Sequence, residues 1–351
     1  MLNYSFSFPT TYEFSPFFHS LLSVGSIPFR WQLLLEQAWS SRQQSSVMTI
    51  ADSAIRSVLD LLLPKLERRL AARGSSPLII GLSGLQGSGK STWANTLSLA
   101  LQRHHLKVVN VSIDDFYHNH ETLVMLREKN PGNTQMRTRG PPGTHDEELA
   151  SAFFSDLQAG KDVKVPAYDK SKFGGEGDRF PPDSWKNVST DPPIDVVIFE
   201  GWCVGFRALQ SREVEERWRR SRDEASEDLM NGQMLGRLAL EHARTVNQNL
   251  RVYNNTFMKP DMFDFFVHLD TDNLRNVYQW RIDQEHKLIE AKGEGMSDQD
   301  VVEFVSGYMP SYELYLNKLN KEPVSKAGDG SCHIRVLLDV DRRVLSIKTL
   351  N

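Results

Sequence analysis

Cysteine is scarce. Only Cys203 and Cys332 occur in 351 residues, far apart and outside any CxxC pattern. That argues against a disulfide framework or a zinc site and suits a reducing compartment. Long apolar runs are missing as well, since no stretch approaches the ~18 residues of a membrane span, so no membrane partner is expected. There is no basic excess either: 41 Lys and Arg stand against 45 Asp and Glu, for a net charge of -4. A nucleic-acid binder would normally carry surplus positive charge to neutralise phosphates, so none is expected as a partner. The sequence does not report the oligomeric state. What is present is ordinary for a globular chain able to bury a core, with 40% hydrophobic and 25% charged residues. The length allows one large α/β domain or two small ones, and a soluble cytoplasmic protein is the expectation.

Residues 1–47 differ from the rest, being rich in Phe, Ser and Leu with only Glu13, Arg30, Glu36 and Arg42 charged. A transit peptide should be Arg-rich and a secretory signal should open on a basic end. The segment does neither well, so a disordered extension, or a start upstream of the working one, is expected; an organellar transit peptide is the alternative. Met48 then precedes Thr49-Ile-Ala-Asp52, a capping box opening an amphipathic helix. From there residues 48–351 are read as one domain. Apolar runs at 78–82, 107–113, 195–199, 263–269 and 334–339 predict strands, and the periods at 91–103, 121–129 and 273–292 predict helices. Residues 207–251 read as a solvated helical insertion, because their dense charge mixes both signs. Strands alternating with helices predict an α/β fold with a doubly wound, mostly parallel sheet and helices on both faces.

Gly84-Leu85-Gln86-Gly87-Ser88-Gly89-Lys90-Ser91, followed by Thr92, is a full G-x-x-x-x-G-K-[ST] motif between an apolar strand and a helix. Glycines let successive backbone N–H groups curl around phosphate oxygens, and the helix offers its free amides and dipole to the same anion. Lys90 is expected to reach the β- and γ-phosphates and Ser91 to ligate Mg²⁺, which makes MgATP the expected ligand. Asp114 ends the second strand, on the edge where α/β sheets bind ligands. There it suits acceptance of a proton from an attacking hydroxyl, or metal binding. Its neighbour Asp115 points elsewhere if strand alternation persists, so one of the pair faces the nucleotide while the other is left to the acceptor side. Glu200 ends the third strand as a Walker-B acid would, and a strand-terminal cap is the bland alternative. Arg281 is a candidate to offset charge on the transferring phosphoryl group, with a surface ion pair as its rival. Tyr117, Arg139, His145, Tyr168 and Lys170 lie between the second and third strands, over the presumptive acceptor pocket, where Arg and Lys suit an acidic acceptor.

Several blocks then line up in order. They are the glycine loop, Ile113-Asp-Asp-Phe-Tyr117, Arg139-Gly-Pro-Pro-Gly-Thr-His-Asp146, Val165-Pro-Ala-Tyr-Asp-Lys-Ser171, Phe199-Glu-Gly-Trp-Cys-Val-Gly-Phe206 and Met309-Pro-Ser-Tyr-Glu313. Over about residues 50 to 350 the chain resembles the D-glycerate 3-kinases of plants and their fungal relatives, in the phosphoribulokinase, uridine kinase and pantothenate kinase superfamily of P-loop NTPases. The resemblance implies transfer of the ATP γ-phosphate to the 3-hydroxyl of D-glycerate, with Asp114 as catalytic aspartate and Glu200 as Walker-B acid. Two departures bear on the acceptor: the length of the 207–251 segment, and Ala167 in the Pro-x-Tyr-Asp-Lys block. Another small acceptor (a nucleoside, a pantothenate-like acid or a sugar phosphate) and a non-catalytic regulatory ATP binder remain open. A guanine-specific switch is disfavoured, because Asn317-Lys318-Leu319-Asn320 lacks the Asp of an N-K-x-D clamp.

Overall fold

The strand that enters the glycine loop is β1 (Leu78–Gly84), preceded by the long helix α1 (Ile50–Ala72) and followed by α2 (Lys90–Arg103) and β2 (Val108–Ser112). The computed structural model describes residues 50–72, 74, 76–224, 228–230, 233–324 and 332–350. The reading of residues 1–47 and the Thr49 cap lie outside them. A 3₁₀ turn (Ile113–Phe116), α3 (His120–Lys129) and α4 (Glu147–Gln158) lead to four short strands, β3 (Val163–Val165), β4 (Tyr168–Asp169), β5 (Asp178–Arg179) and β6 (Lys186–Val188). Then come β7 (Val196–Gly201), α5 (Ser211–Asp223), α6 (Leu240–Asn255), β8 (Phe265–Thr271), α7 (Asn276–Lys292), α8 (Asp298–Ser306), α9 (Met309–Leu319), β9 (Cys332–Leu338) and β10 (Val344–Leu350).

The main sheet runs β10-β9-β8-β1-β7-β2. Every pairing is parallel except the β9–β10 hairpin. Each residue of β1, β7 and β8 is buried. Burial at consecutive positions, which point to opposite faces, requires cover on both faces, as in a doubly wound fold. Val196, Val197, Ile198 and Phe199 are fully enclosed, each contributing about 1.5–3 kcal/mol of apolar burial. Because the strands run the same way, Gly84, Ser112, Gly201 and Thr271 end on one edge of the sheet.

The 207–251 segment departs from its reading as one solvated stretch. Among the described residues it holds two α-helices, the second running on to Asn255, and Val214, Ala243, Val246, Leu250 and Tyr253 on them face the core at no more than 1% exposure. The mixed charges satisfy one another at i, i+4 spacing on α5, in Arg212–Glu216, Arg217–Glu213 and Arg219–Glu215. Strand β10 was not expected. As an edge strand, partly exposed along its length and bulged between Val344 and Ser346, it carries a weak apolar signal.

Candidate active site

The glycine loop turns out of β1 through left-handed backbone at Gly87 (φ 72°) and Gly89 (φ 85°). At Gly87 a β-carbon would also come within 2.7 Å of the Trp280 backbone and side chain, so space and conformation both demand glycine. Helix α2 starts at Lys90 with no side-chain cap, which leaves its first amides directed at the loop as anion donors. The Gln86 amide donates to the Tyr312 hydroxyl at 3.1 Å, fastening the loop to α9.

Strand β7 lies between β1 and β2, and Glu200 is in register with Leu82 on one side and Ser112 on the other. That register brings the second carboxylate between the loop and Asp114. Ser91 Oγ donates to Glu200 Oε1 at 3.0 Å, while Glu200 Oε2 is buried with no hydrogen-bond partner among the described residues. A buried acceptor without a donor is costly unless something positive meets it, and Mg²⁺ fits that position. Among the described residues no three His, Cys, Asp or Glu side chains cluster as a cage. Mg²⁺ needs none, being held commonly by one or two carboxylates, waters and substrate phosphates.

Asp114 and Asp115 fall on a 3₁₀ turn capped by Ser112. Asp115 Oδ2 accepts from the Ser112 amide at 2.9 Å, so its carboxylate is placed by a cap and not by strand alternation, since β2 has already ended. Asp114 instead meets Lys170 Nζ at 2.5 Å. Burial opposes its charge, yet Lys170 and then Lys90 outweigh that and hold the carboxyl well below the usual range. Burial, reinforced by the negative charges of Asp114 and Glu200, pushes Asp115 up to about 7.

On the far side, Tyr117 stacks on His145 with ring centroids 4.4 Å apart and meets Tyr168 edge-on at 5.2 Å. His145 is completely buried, and burial lowers its pKa to about 3, so it is neutral and does not present a charge to an acceptor. Tyr253 of α6 explains its tautomer. The Tyr253 hydroxyl accepts from the amides of Gly143 (2.7 Å) and His145 (3.1 Å), leaving its own proton for His145 Nδ1 at 2.9 Å. That assigns the remaining His145 hydrogen to Nε2, which has no hydrogen-bond partner among the described residues.

Arg139 Nη1 donates to the carbonyls of Gly175 (2.5 Å) and Glu176 (2.6 Å). Its guanidinium also lies 5.6 Å from the centre of the Tyr168 ring. Glu176 itself takes a bidentate bond from Arg127 and a contact from His120, so the 170–177 loop is tied down on both sides of the site. Arg281 is ion-paired with buried Glu285 at 2.5 Å and packs over Phe304; the pair is largely enclosed and is not the surface ion pair expected as the rival reading.

Comparison with known proteins agrees with this geometry. The model of the Phosphoribulokinase / Uridine kinase family matches residues 79–214. The uncharacterized kinase mug58 of Schizosaccharomyces pombe is 39% identical over 272 residues, 77% of this chain and 92% of that protein. The chain belongs to the phosphoribulokinase/uridine kinase family of P-loop kinases. The chloroplastic D-glycerate 3-kinase of Arabidopsis thaliana is 34% identical over 270 residues, covering 76% of this chain and 53% of that one. The solved D-glycerate 3-kinase of Cryptococcus neoformans superposes with a TM-score of 0.74 at 32% identity, over 85% of this chain and 99% of that chain. This P-loop kinase therefore takes ATP as its phosphoryl donor. Sequence reasoning did not find Tyr253 or Glu176 in it. Neither lies in a motif, and each matters only through residues about 110 and 50 positions away.

Proposed function

We propose that this kinase transfers the γ-phosphate of MgATP to the 3-hydroxyl of D-glycerate, giving 3-phosphoglycerate. The observation that carries the reading is the positive charge near Asp114, from Lys170 in contact with it and from Lys90, with Arg139 beside the Tyr168 ring. Among the described residues Arg139 has no carboxylate ion-pair partner, only neutral carbonyls, so its charge is available to an acidic acceptor. The likeness to two D-glycerate 3-kinases supports the same acceptor.

In this reading Lys90 and the loop amides hold the phosphates, and Ser91 and Glu200 would hold Mg²⁺, which when bound would offset the phosphate charge. Asp114 orients the acceptor hydroxyl and takes its proton. Its low pKa makes it a weak base toward a free alcohol, but the alcohol acidifies as its oxygen bonds to phosphorus, so transfer comes late. Lys170 and Arg139 hold the acceptor carboxylate, with Tyr168 and Tyr117 shaping the pocket and His145 stacked behind Tyr117. Arg281 becomes a phosphoryl contact only if it leaves Glu285 on closure.

The test is ADP release from MgATP with a panel of hydroxy acids, nucleosides, sugars and pantothenate. Turnover with D-glycerate but not L-glycerate, yielding 3-phosphoglycerate, is expected. Turnover with a different acceptor overturns the substrate, and no acceptor-dependent turnover overturns the transferase reading. Asp114→Asn should lower kcat by about 10²–10⁴ while MgATP affinity stays within about threefold. Loss of MgATP binding in that variant would show that Asp114 serves the donor instead.

A further inference from the structure

The turn between β9 and β10 places Arg342 at φ 63°, left-handed backbone where glycine or asparagine is the ordinary choice. The hairpin closes through backbone bonds between Asp339 and both Arg342 and Arg343, and none of these needs an arginine side chain. That side chain nevertheless makes three hydrogen bonds and lies over the Trp280 ring, 5.8 Å from its centre. Nε donates to the Gly87 carbonyl at 2.7 Å, Nη2 to the Trp280 carbonyl at 2.8 Å, and Nη1 to Asp283 Oδ2 at 3.2 Å. The first partner is in the phosphate loop, and the other two flank Arg281 on α7.

We propose that Arg342 is a positioning residue for phosphoryl transfer, locking the Gly87 carbonyl outward and setting the phosphate loop against α7. The proposal rests on the reading of that loop as the ATP site. Its physical basis is the freedom of Gly87, which tolerates positive and negative φ almost equally. A rotated Gly87 peptide would aim its carbonyl dipole at the phosphates and repel them. A guanidinium donor at 2.7 Å fixes that carbonyl on the side away from the anion. The rigid fork then joins the loop to the helix turn carrying Arg281, which a lysine, with one point donor cluster, cannot span in the same way.

The decisive variant is Arg342→Gly, because the left-handed backbone favours glycine and the hairpin keeps its own bonds. MgATP binding is read by titration calorimetry without acceptor, alongside a thermal melt. Expected is a Kd for MgATP raised at least tenfold, with the folded baseline intact at the assay temperature. In turnover the KM for ATP rises while the KM for the acceptor stays within about twofold. Millimolar methylguanidinium should recover part of the affinity in the variant and none in the wild type. Arg342→Lys, which keeps length and charge, should still lose MgATP affinity by at least threefold. A Kd within twofold of wild type in folded Arg342→Gly or Arg342→Lys overturns the proposal. Failure of the wild type itself to bind MgATP overturns the ATP reading instead, so the two failures are distinct.

Discussion

Asp114 and Asp115 are adjacent in sequence and opposite in electrostatic fate. Asp114 is held ionised by Lys170 and Lys90. Asp115, turned back to cap Ser112, carries a pKa of about 7 because burial and two neighbouring carboxylates disfavour its charge. The folded chain binds the Asp115 proton more tightly than the unfolded chain, whose carboxyl keeps its ordinary value of 3.8. Its stability is therefore fully present below about 4 and is lost as pH rises through about 7. Asp115→Asn keeps an acceptor for the Ser112 amide and cannot ionise. It should melt above wild type at pH 8, by on the order of 1 kcal/mol once partial exposure is allowed for. The gap should narrow steadily as the pH is lowered toward 5. A pH-independent gap would show that Asp115 does not carry the shift. The place of the pair at a strand end was legible, since spacing is a local fact. The cap that Asp115 makes on Ser112 was not, because it depends on β2 stopping at Ser112.

Helix α6 carries the same lesson for an element. In sequence it belongs to a charged stretch, and charge density hid the stripe Ala243, Val246, Leu250 and Tyr253 that packs into the core. Its contribution to the site is one hydroxyl. Tyr253 satisfies two amides of the 143–145 loop and fixes the His145 tautomer, and nothing local to residue 253 signals a partner about 110 positions earlier. Tyr253→Phe keeps the ring and removes that hydroxyl, leaving the buried His145 amide, the half-buried Gly143 amide and Nδ1 without that partner. The expected loss is about 2 kcal/mol, given 1–3 kcal/mol for an unsatisfied buried polar group. Urea unfolding should show a lower midpoint with an unchanged slope. A midpoint equal to wild type would mean that water replaces the hydroxyl and that the loop does not depend on α6. By contrast β1, α2, β7 and β8 were legible nearly to their ends, because strong apolar runs and the glycine loop mark them without long-range help.

Across the whole molecule the groups proposed to serve the nucleotide come from chain segments far apart, the loop at 84–92, Asp114 and Glu200, brought to one sheet edge by parallel pairing. No unfolded chain presents them together, so MgATP binds the native state alone and must stabilise it. At one hundred times Kd the gain is about 2.7 kcal/mol. The carboxylates make this gain depend on the metal. Asp114 is held ionised, and Glu200 carries a buried oxygen with no donor among the described residues. Metal-free ATP adds its own negative charge beside them, whereas Mg²⁺ supplies the positive charge that both the phosphates and Glu200 lack. Thermal melts should therefore show a clear upward shift with MgATP and less than half of it with the same ATP in excess EDTA. Lys90→Ala should abolish most of the shift under either condition. Equal shifts with and without metal would mean that Asp114 and Glu200 do not face the phosphates. The donor would then be held by the loop alone, and the roles proposed for both carboxylates would fall together.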